Sequence, residues 1–125
     1  MTQHIVFDDA LNLIRVAVAG EMTLAEKPDL LDAILDAINA IKSEHDCNKV
    51  LMDVSAVEKT PGVTSFYEFA GRLPFDIYIA LMVDSNDNAD FQFLENTSLN
   101  RGRNVRCFRD EQQALSWLNA SNKFS

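Results

Sequence analysis

Basic residues are scarce in this chain. Lysine and arginine total 11 against 19 aspartates and glutamates, a formal net charge of −8 with a pI near 4.5. Binding to nucleic acid or to an anionic membrane requires a basic surface to neutralise phosphate, so this balance argues against both as main partners. Long hydrophobic runs are missing too. The longest, Ile77 to Val83, falls far short of the roughly 20 residues that span a bilayer, and no membrane insertion is expected. The start, Met1-Thr2-Gln3-His4-Ile5, has neither the basic nor the apolar region of a signal peptide, so the expected location is cytoplasmic. Cysteine is limited to Cys47 and Cys107. Each lies beside a strand-like segment and reads as a reduced, buried or half-buried thiol. Two cysteines and two distant histidines give too few ligands at too wide a spacing for zinc, and neither a metal nor another cofactor is expected.

What is present suits one compact domain over residues 1–125. The chain is 47% hydrophobic, with no internal repeat, low-complexity run or linker. Its organising stretch runs from Lys49 to Gly62. Val50, Leu51, Met52 and Val54, apolar on both alternating faces, suit an interior strand. A polar loop, Ser55 to Lys59, follows. Thr60 then reads as a helix cap, with Pro61 at the first helical position. A strand, a loop and a helix N-terminus together mark the end of an open α/β sheet where functional sites usually lie.

The remaining elements follow from periodicity. Ile5 to Phe7 and Leu11 to Ala19 form an antiparallel hairpin around a turn at Asp8-Asp9-Ala10. Ile14, Val16 and Val18 share one face, and Leu13, Arg15 and Ala17 a second, partly wet one. Thr23 with Glu26 reads as a capping box, and Pro28 starts or kinks the first helix. That helix carries a stripe of Leu30, Leu31, Ile34, Leu35, Ile38 and Ile41. The second helix turns Val63, Phe66, Tyr67, Ala70 and Leu73 to the core and stops at Pro74. Phe75 to Val83 reads as a buried strand. A polar turn at Asp84 to Asp87 leads to a third helix, from about Asn88 to Arg101, with Gly102 as its C-terminal cap. Asn104 to Phe108 is the last strand. Asp110 with Gln113 caps the last helix, which buries Ala114, Leu115 and Leu118 beside Trp117, and Asn119 to Ser125 reads as a frayed tail. The order β-β-α-β-α-β-α-β-α makes this an α/β protein with a mixed, mostly parallel sheet whose first strand is antiparallel at or near an edge.

Chemistry has weak support in the residues. Asp53 and Asp84 end buried strands, but no nucleotide-binding glycine loop accompanies them, and Arg109 stands where a receiver-like phosphoacceptor site needs lysine. The tripeptide His45-Asp46-Cys47 reads as a helix end, because consecutive residues do not converge on one reacting atom. No catalytic residue is assigned. Aromatic residues crowd the middle third. Phe69 lies off the expected buried stripe, which marks it as a possible exposed anchor for a partner.

Several phrases, together with this element order, resemble the bacterial SpoIIAA-like branch of the STAS superfamily, which includes anti-sigma-factor antagonists. They are the hairpin into Gly20-Glu21-Met22-Thr23-Leu24, the strand Val50-Leu51-Met52-Asp53-Val54, and the ending from Val105 through Arg106-Cys107-Phe108-Arg109-Asp110 to Leu118. The resemblance spans nearly the whole chain and implies a β-α superhelical sheet with its helices mainly to one side. It also implies non-enzymatic regulation through a protein partner, which a homodimer could supply. The partner surface would be Ser55, Glu58, Lys59, Thr60, Thr64 and Ser65, with Phe69 as anchor. The antagonists switch on a serine in a phrase close to Asp-Ser-Ser-Gly. Here Thr60, Pro61, Gly62 and Val63 fill roughly that place, and Thr60, Thr64 and Ser65 are the candidate phosphoacceptors. The branch's kinship with CRAL-TRIO lipid-transfer domains implies an alternative, a small apolar ligand held by Phe66, Tyr67, Phe91 and Phe93.

Overall fold

A computed structural model describes residues 2–21, 30–60, 62–84 and 89–121. Its elements are β1 (Thr2–Asp8), β2 (Leu13–Glu21), α1 (Leu30–His45), β3 (Lys49–Lys59), α2 (Val63–Arg72), β4 (Tyr78–Met82), α3 (Ala89–Asn100), β5 (Asn104–Phe108) and α4 (Glu111–Ser121). The expected element order is the observed one. Thr23, Glu26 and Pro28, the turn residues Ser85 to Asp87 and Asn88 lie outside the described residues, as do Pro61 and the last four residues of the expected tail. Asn119 and Ala120 are not frayed: they continue α4.

The strands stand side by side in chain order, β1-β2-β3-β4-β5. β1 pairs antiparallel with β2, from Thr2 opposite Ala19 to Asp8 opposite Leu13. The other neighbouring pairs are parallel. Helices between successive strands impose that direction, while a short turn permits the hairpin. β4 is shorter than the apolar run suggested: Phe75 and Asp76 form a turn after Pro74, and pairing starts at Tyr78.

Alternation along the strands divides the interior in two. On one face Ile14, Val16, Val18, Val50, Met52, Val54, Ile79 and Leu81 pack with buried residues of three helices: Ile34, Leu35 and Ile38 of α1, Phe66, Phe69 and Ala70 of α2, and Phe91 and Leu94 of α3. On the other, Leu13, Leu51 and Ala80 meet Ala114 and Leu118 of α4, and Trp117 sets its ring against Tyr78 and Phe108. The helices thus lie mainly to one side.

Three ends are well explained. Asp110 caps α4 by accepting from the Gln112 amide at 3.0 Å. Gly102 closes α3 at φ 79, with the Gly102 amide donating to the Leu99 carbonyl and the Arg103 amide to that of Ser98, the paired bonds of a Schellman end. Asp46, at φ 50, ends α1 as the Cys47 amide donates to the Lys42 carbonyl. His45-Asp46-Cys47 is therefore a helix end. His45 stacks on Phe7, ring centroids 3.9 Å apart.

Candidate functional site

The expected loop after the central strand is strand. β3 pairs with β4 only from Lys49 to Asp53, but with β2 as far as Lys59 opposite Glu21. Beyond Asp53 the two strands continue as a ribbon past the end of β4. The ribbon is bulged: the step from Ala17 to Ala19 spans Asp53 to Ala56, and that from Gly20 to Glu21 spans Val57 to Lys59. Each time β3 carries one residue more than β2. Such bulges break the two-residue alternation and re-aim side chains. Ser55, Ala56, Glu58 and Lys59 are exposed, while Val57 packs against the core. At the first bulge, the Ser55 amide and hydroxyl both donate to Asp53 Oδ1, at 3.0 and 2.6 Å.

The helix that follows begins later than the sequence implied. Its N-cap is Gly62, at φ 99 and ψ 168, and no side chain caps it. Thr60 is not the cap. It lies two residues too early, and its hydroxyl donates instead to the carboxylate of Asp90 in the first turn of α3. Thr64 is exposed and Ser65 half-buried in the first turn of α2, which contains no acidic residue. The ribbon and this helix start bring Ser55, Glu58, Lys59, Thr60, Thr64 and Ser65 into consecutive surface segments. Phe69 does not join them. It is 4% exposed and part of the core, so it cannot serve as an exposed anchor. The buried stripe of α2 runs through Phe66, Phe69, Ala70 and Leu73, with Val63 and Tyr67 left exposed. Phe66, Ala70 and Leu73 keep their expected places, and the centre of the stripe turns toward Phe69 by about 50°, half a residue.

The aromatic set divides. Phe66 and Phe91, at 1% and 7% exposure, pack on each other with ring centroids 5.3 Å apart. Phe93 is half-buried against the same core. Tyr67 faces outward, 53% exposed.

Asp53 commits one oxygen to Ser55, and Asp84 follows β4 at the surface. Among the described residues no group of three or more His, Cys, Asp or Glu side chains could hold a metal ion. Both cysteines are free. Cys47 is buried and its thiol donates to the Asn12 carbonyl at 3.4 Å. Burial, and then the Glu95 carboxylate, push the Cys107 thiol up to about 12. That thiol donates to the Phe91 carbonyl at 3.5 Å. Burial of this kind keeps a thiol protonated and lowers its reactivity.

Sequence reading missed one further feature. Among the described residues, α4 covers Leu13 but leaves β1 and the rest of β2 on that sheet face without a helix, with a groove of about 210 Å³ bordered by His4, Arg15, Asp53 and Glu111 over Val6 and Leu51. Arg15 donates to Asp8 through Nε at 2.8 Å and to Glu111 through Nη1 at 3.4 Å. The only signal in the sequence was Arg15 on the second face of its strand.

No family model and no curated protein matches this chain. Solved structures do. The chain is similar to an anti-sigma factor antagonist from Mycobacterium paratuberculosis, at 19% identity and a TM-score of 0.62, over 94% of this chain and 93% of that one. It is also similar to an uncharacterized protein with a SpoIIAA-like fold from Shewanella loihica, at 12% identity and a TM-score of 0.57, over 94% and 92%. The fold is therefore SpoIIAA-like.

Proposed function

We propose that this chain, with residues 1–125 as one SpoIIAA-like domain, is a cytoplasmic, non-enzymatic regulatory module that works by contact with a protein partner, as an anti-sigma-factor antagonist does. The observation that carries the reading is the bulged ribbon running into a helix start without a side-chain cap. It presents Ser55, Glu58, Lys59 and Thr64 to solvent at the C-terminal end of the parallel strands. One solved structure of the same fold, at 19% identity, is an anti-sigma factor antagonist, which supports the same class of function here. Fold alone does not carry function, so the weight rests on the surface.

In this reading Thr64 is the favoured phosphoacceptor. It is exposed in the first turn of α2, where added phosphate meets the positive end of the helix dipole. Ser65 is half-buried and the Thr60 hydroxyl is engaged by Asp90, so both rank behind it. Native mass spectrometry of chain purified from its own cells tests the reading. A heteromeric complex or a dimer that dissociates on Glu58→Ala and Thr64→Ala substitution supports it. A bound lipid or metabolite on an otherwise monomeric chain contradicts it.

A further inference from the structure

Two arginines and two aromatic rings meet where α2 ends. The Arg101 guanidinium carbon lies 4.6 Å from the Tyr67 ring centroid, and Arg101 Nη1 donates to the Tyr67 carbonyl at 2.9 Å. That of Arg103 lies 4.0 Å from the Phe75 ring centroid, and Arg103 donates to the carbonyls of Leu73, Arg101 and Gly71 at 3.0, 2.9 and 3.0 Å. The strip is continuous. Gly71 lies under Arg101, where a Cβ would stand 2.6 Å from Nη2, and a Cβ on Gly102 would stand 3.6 Å from Phe75 Cε1.

Capping accounts for part of this. The last carbonyls of a helix need donors, and Arg103 supplies them at Gly71 and Leu73, whereas the Tyr67 carbonyl that Arg101 binds lies inside α2. Capping does not account for the rings, which are 53% exposed at Tyr67 and 64% at Phe75. Nor does it neutralise charge, because a carbonyl takes a hydrogen bond and leaves the cation. Among the described residues, carboxylates pair with Arg15, Lys42 and Arg72, and neither Arg101 nor Arg103 meets one. On a chain of net charge −8, this is a local reversal of sign laid over two exposed rings.

We propose that Tyr67, Arg101, Arg103 and Phe75 form a docking strip for an acidic segment of a partner protein that carries an apolar side chain between its carboxylates. Each guanidinium keeps N–H groups beyond those given to carbonyls, and a carboxylate accepts them as charge-assisted bonds. The apolar side chain covers the rings. Tyrosine and arginine are enriched among residues that dominate binding energy, and these are held by their backbone bonds before a partner arrives. The strip lies at the C-terminal end of α2, away from the ribbon, and does not rest on the reading of that surface.

The test uses the full chain, labelled with nitrogen-15. It is titrated at low salt with a capped peptide of alternating glutamate and phenylalanine. A lysine and phenylalanine peptide of equal length is the control. The acidic peptide alone should shift the amides of Tyr67, Gly71, Arg101, Gly102, Arg103 and Phe75 saturably. Arg101→Gln, which keeps a donor for the Tyr67 carbonyl, and Phe75→Ser should each weaken binding about tenfold or more, as loss of a dominant contact does. Ser116→Ala, at an exposed position of α4, should leave peptide binding unchanged. Should a variant fail to fold, the map of shifts on the wild-type chain decides alone. Absence of saturable shifts, an equal response to the lysine peptide, or shifts that depend only on protein concentration would overturn the proposal, the last by showing a second copy on the strip.

Discussion

Phe69 is the residue on which sequence and structure part most sharply. It sits at 4% exposure in the cluster with Phe66, Leu73 and Phe91. Phe69→Ala should therefore cost about 3–5 kcal/mol of stability through the cavity it leaves, read as a lowered urea midpoint. A variant of unchanged stability that loses only partner binding would contradict its core role. The aromatic-rich stretch Phe66-Tyr67-Glu68-Phe69 admits a stripe widened to Tyr67 or one widened to Phe69, and periodicity alone does not choose between them. The choice comes from packing: α2 lies against both the sheet and α3, and Phe66 meets Phe91. Acid sensitivity also belongs to single residues. The hydrogen bond from Arg15, and then the Leu11 amide, hold the Asp8 carboxyl below its ordinary value of 3.8. A carboxyl depressed in the folded state adds stability that is present above the ordinary value and lost as pH falls through the folded one. Asp8→Asn should flatten the fall in unfolding midpoint between about pH 5 and about pH 2. A fall of unchanged steepness would show that Asp8 contributes nothing there. Cys107 acts at the other end. Its thiol, raised from 9.0 to about 12, makes the fold lose stability as pH climbs above the ordinary value, because the unfolded thiol releases its proton first.

At the scale of elements, the junction of β3 and α2 is set by backbone more than by side chains. Gly62 holds φ 99 and ψ 168 with nothing within 4 Å of a Cβ placed on it. The cost of any other residue there is conformational rather than steric crowding, since this region of backbone space is essentially restricted to glycine. Gly62→Ala should lower stability by about 1–3 kcal/mol, and hydrogen exchange should place the loss in the first turn of α2. A neutral effect would mean that the turn relaxes freely. This junction is also where the sequence was least legible. Ser55 to Lys59 reads as a loop because it is polar and breaks alternation. The broken alternation reflects the bulges, whose pairing with β2 the local sequence does not reveal. By contrast the stripe of α1 and the start of α4 were readable, the first from a regular period and the second from the Asp110 cap. The start of β4 was not: Phe75 extends the apolar run, yet it leaves the sheet at a turn and is covered by Arg103.

Across the whole molecule, the element order of the sequence determined the layered sheet, and the helices distribute as the resemblance implied, three against one face and α4 against the other. The candidate surface was half legible. Ser55, Glu58, Lys59 and Thr64 are exposed, whereas Thr60 is drawn to Asp90. The uncovered part of the α4 face and the strip at the end of α2 were not legible at all, since each joins residues from elements distant in sequence. The two proposed surfaces lie at either end of α2 and are separable by substitution.

The most direct measurement is quantitative affinity capture from the native cell with three forms of the chain: wild type, the combined Ser55→Ala, Glu58→Ala, Lys59→Ala and Thr64→Ala variant, and Arg101→Gln. All four positions of the combined variant are exposed, so its unfolding midpoint should stay close to wild type. The account predicts at least one protein bound by wild type and by Arg101→Gln but depleted about tenfold or more with the combined variant, as expected when dominant contacts are removed. An identical set of captured proteins for wild type and a folded combined variant would contradict it.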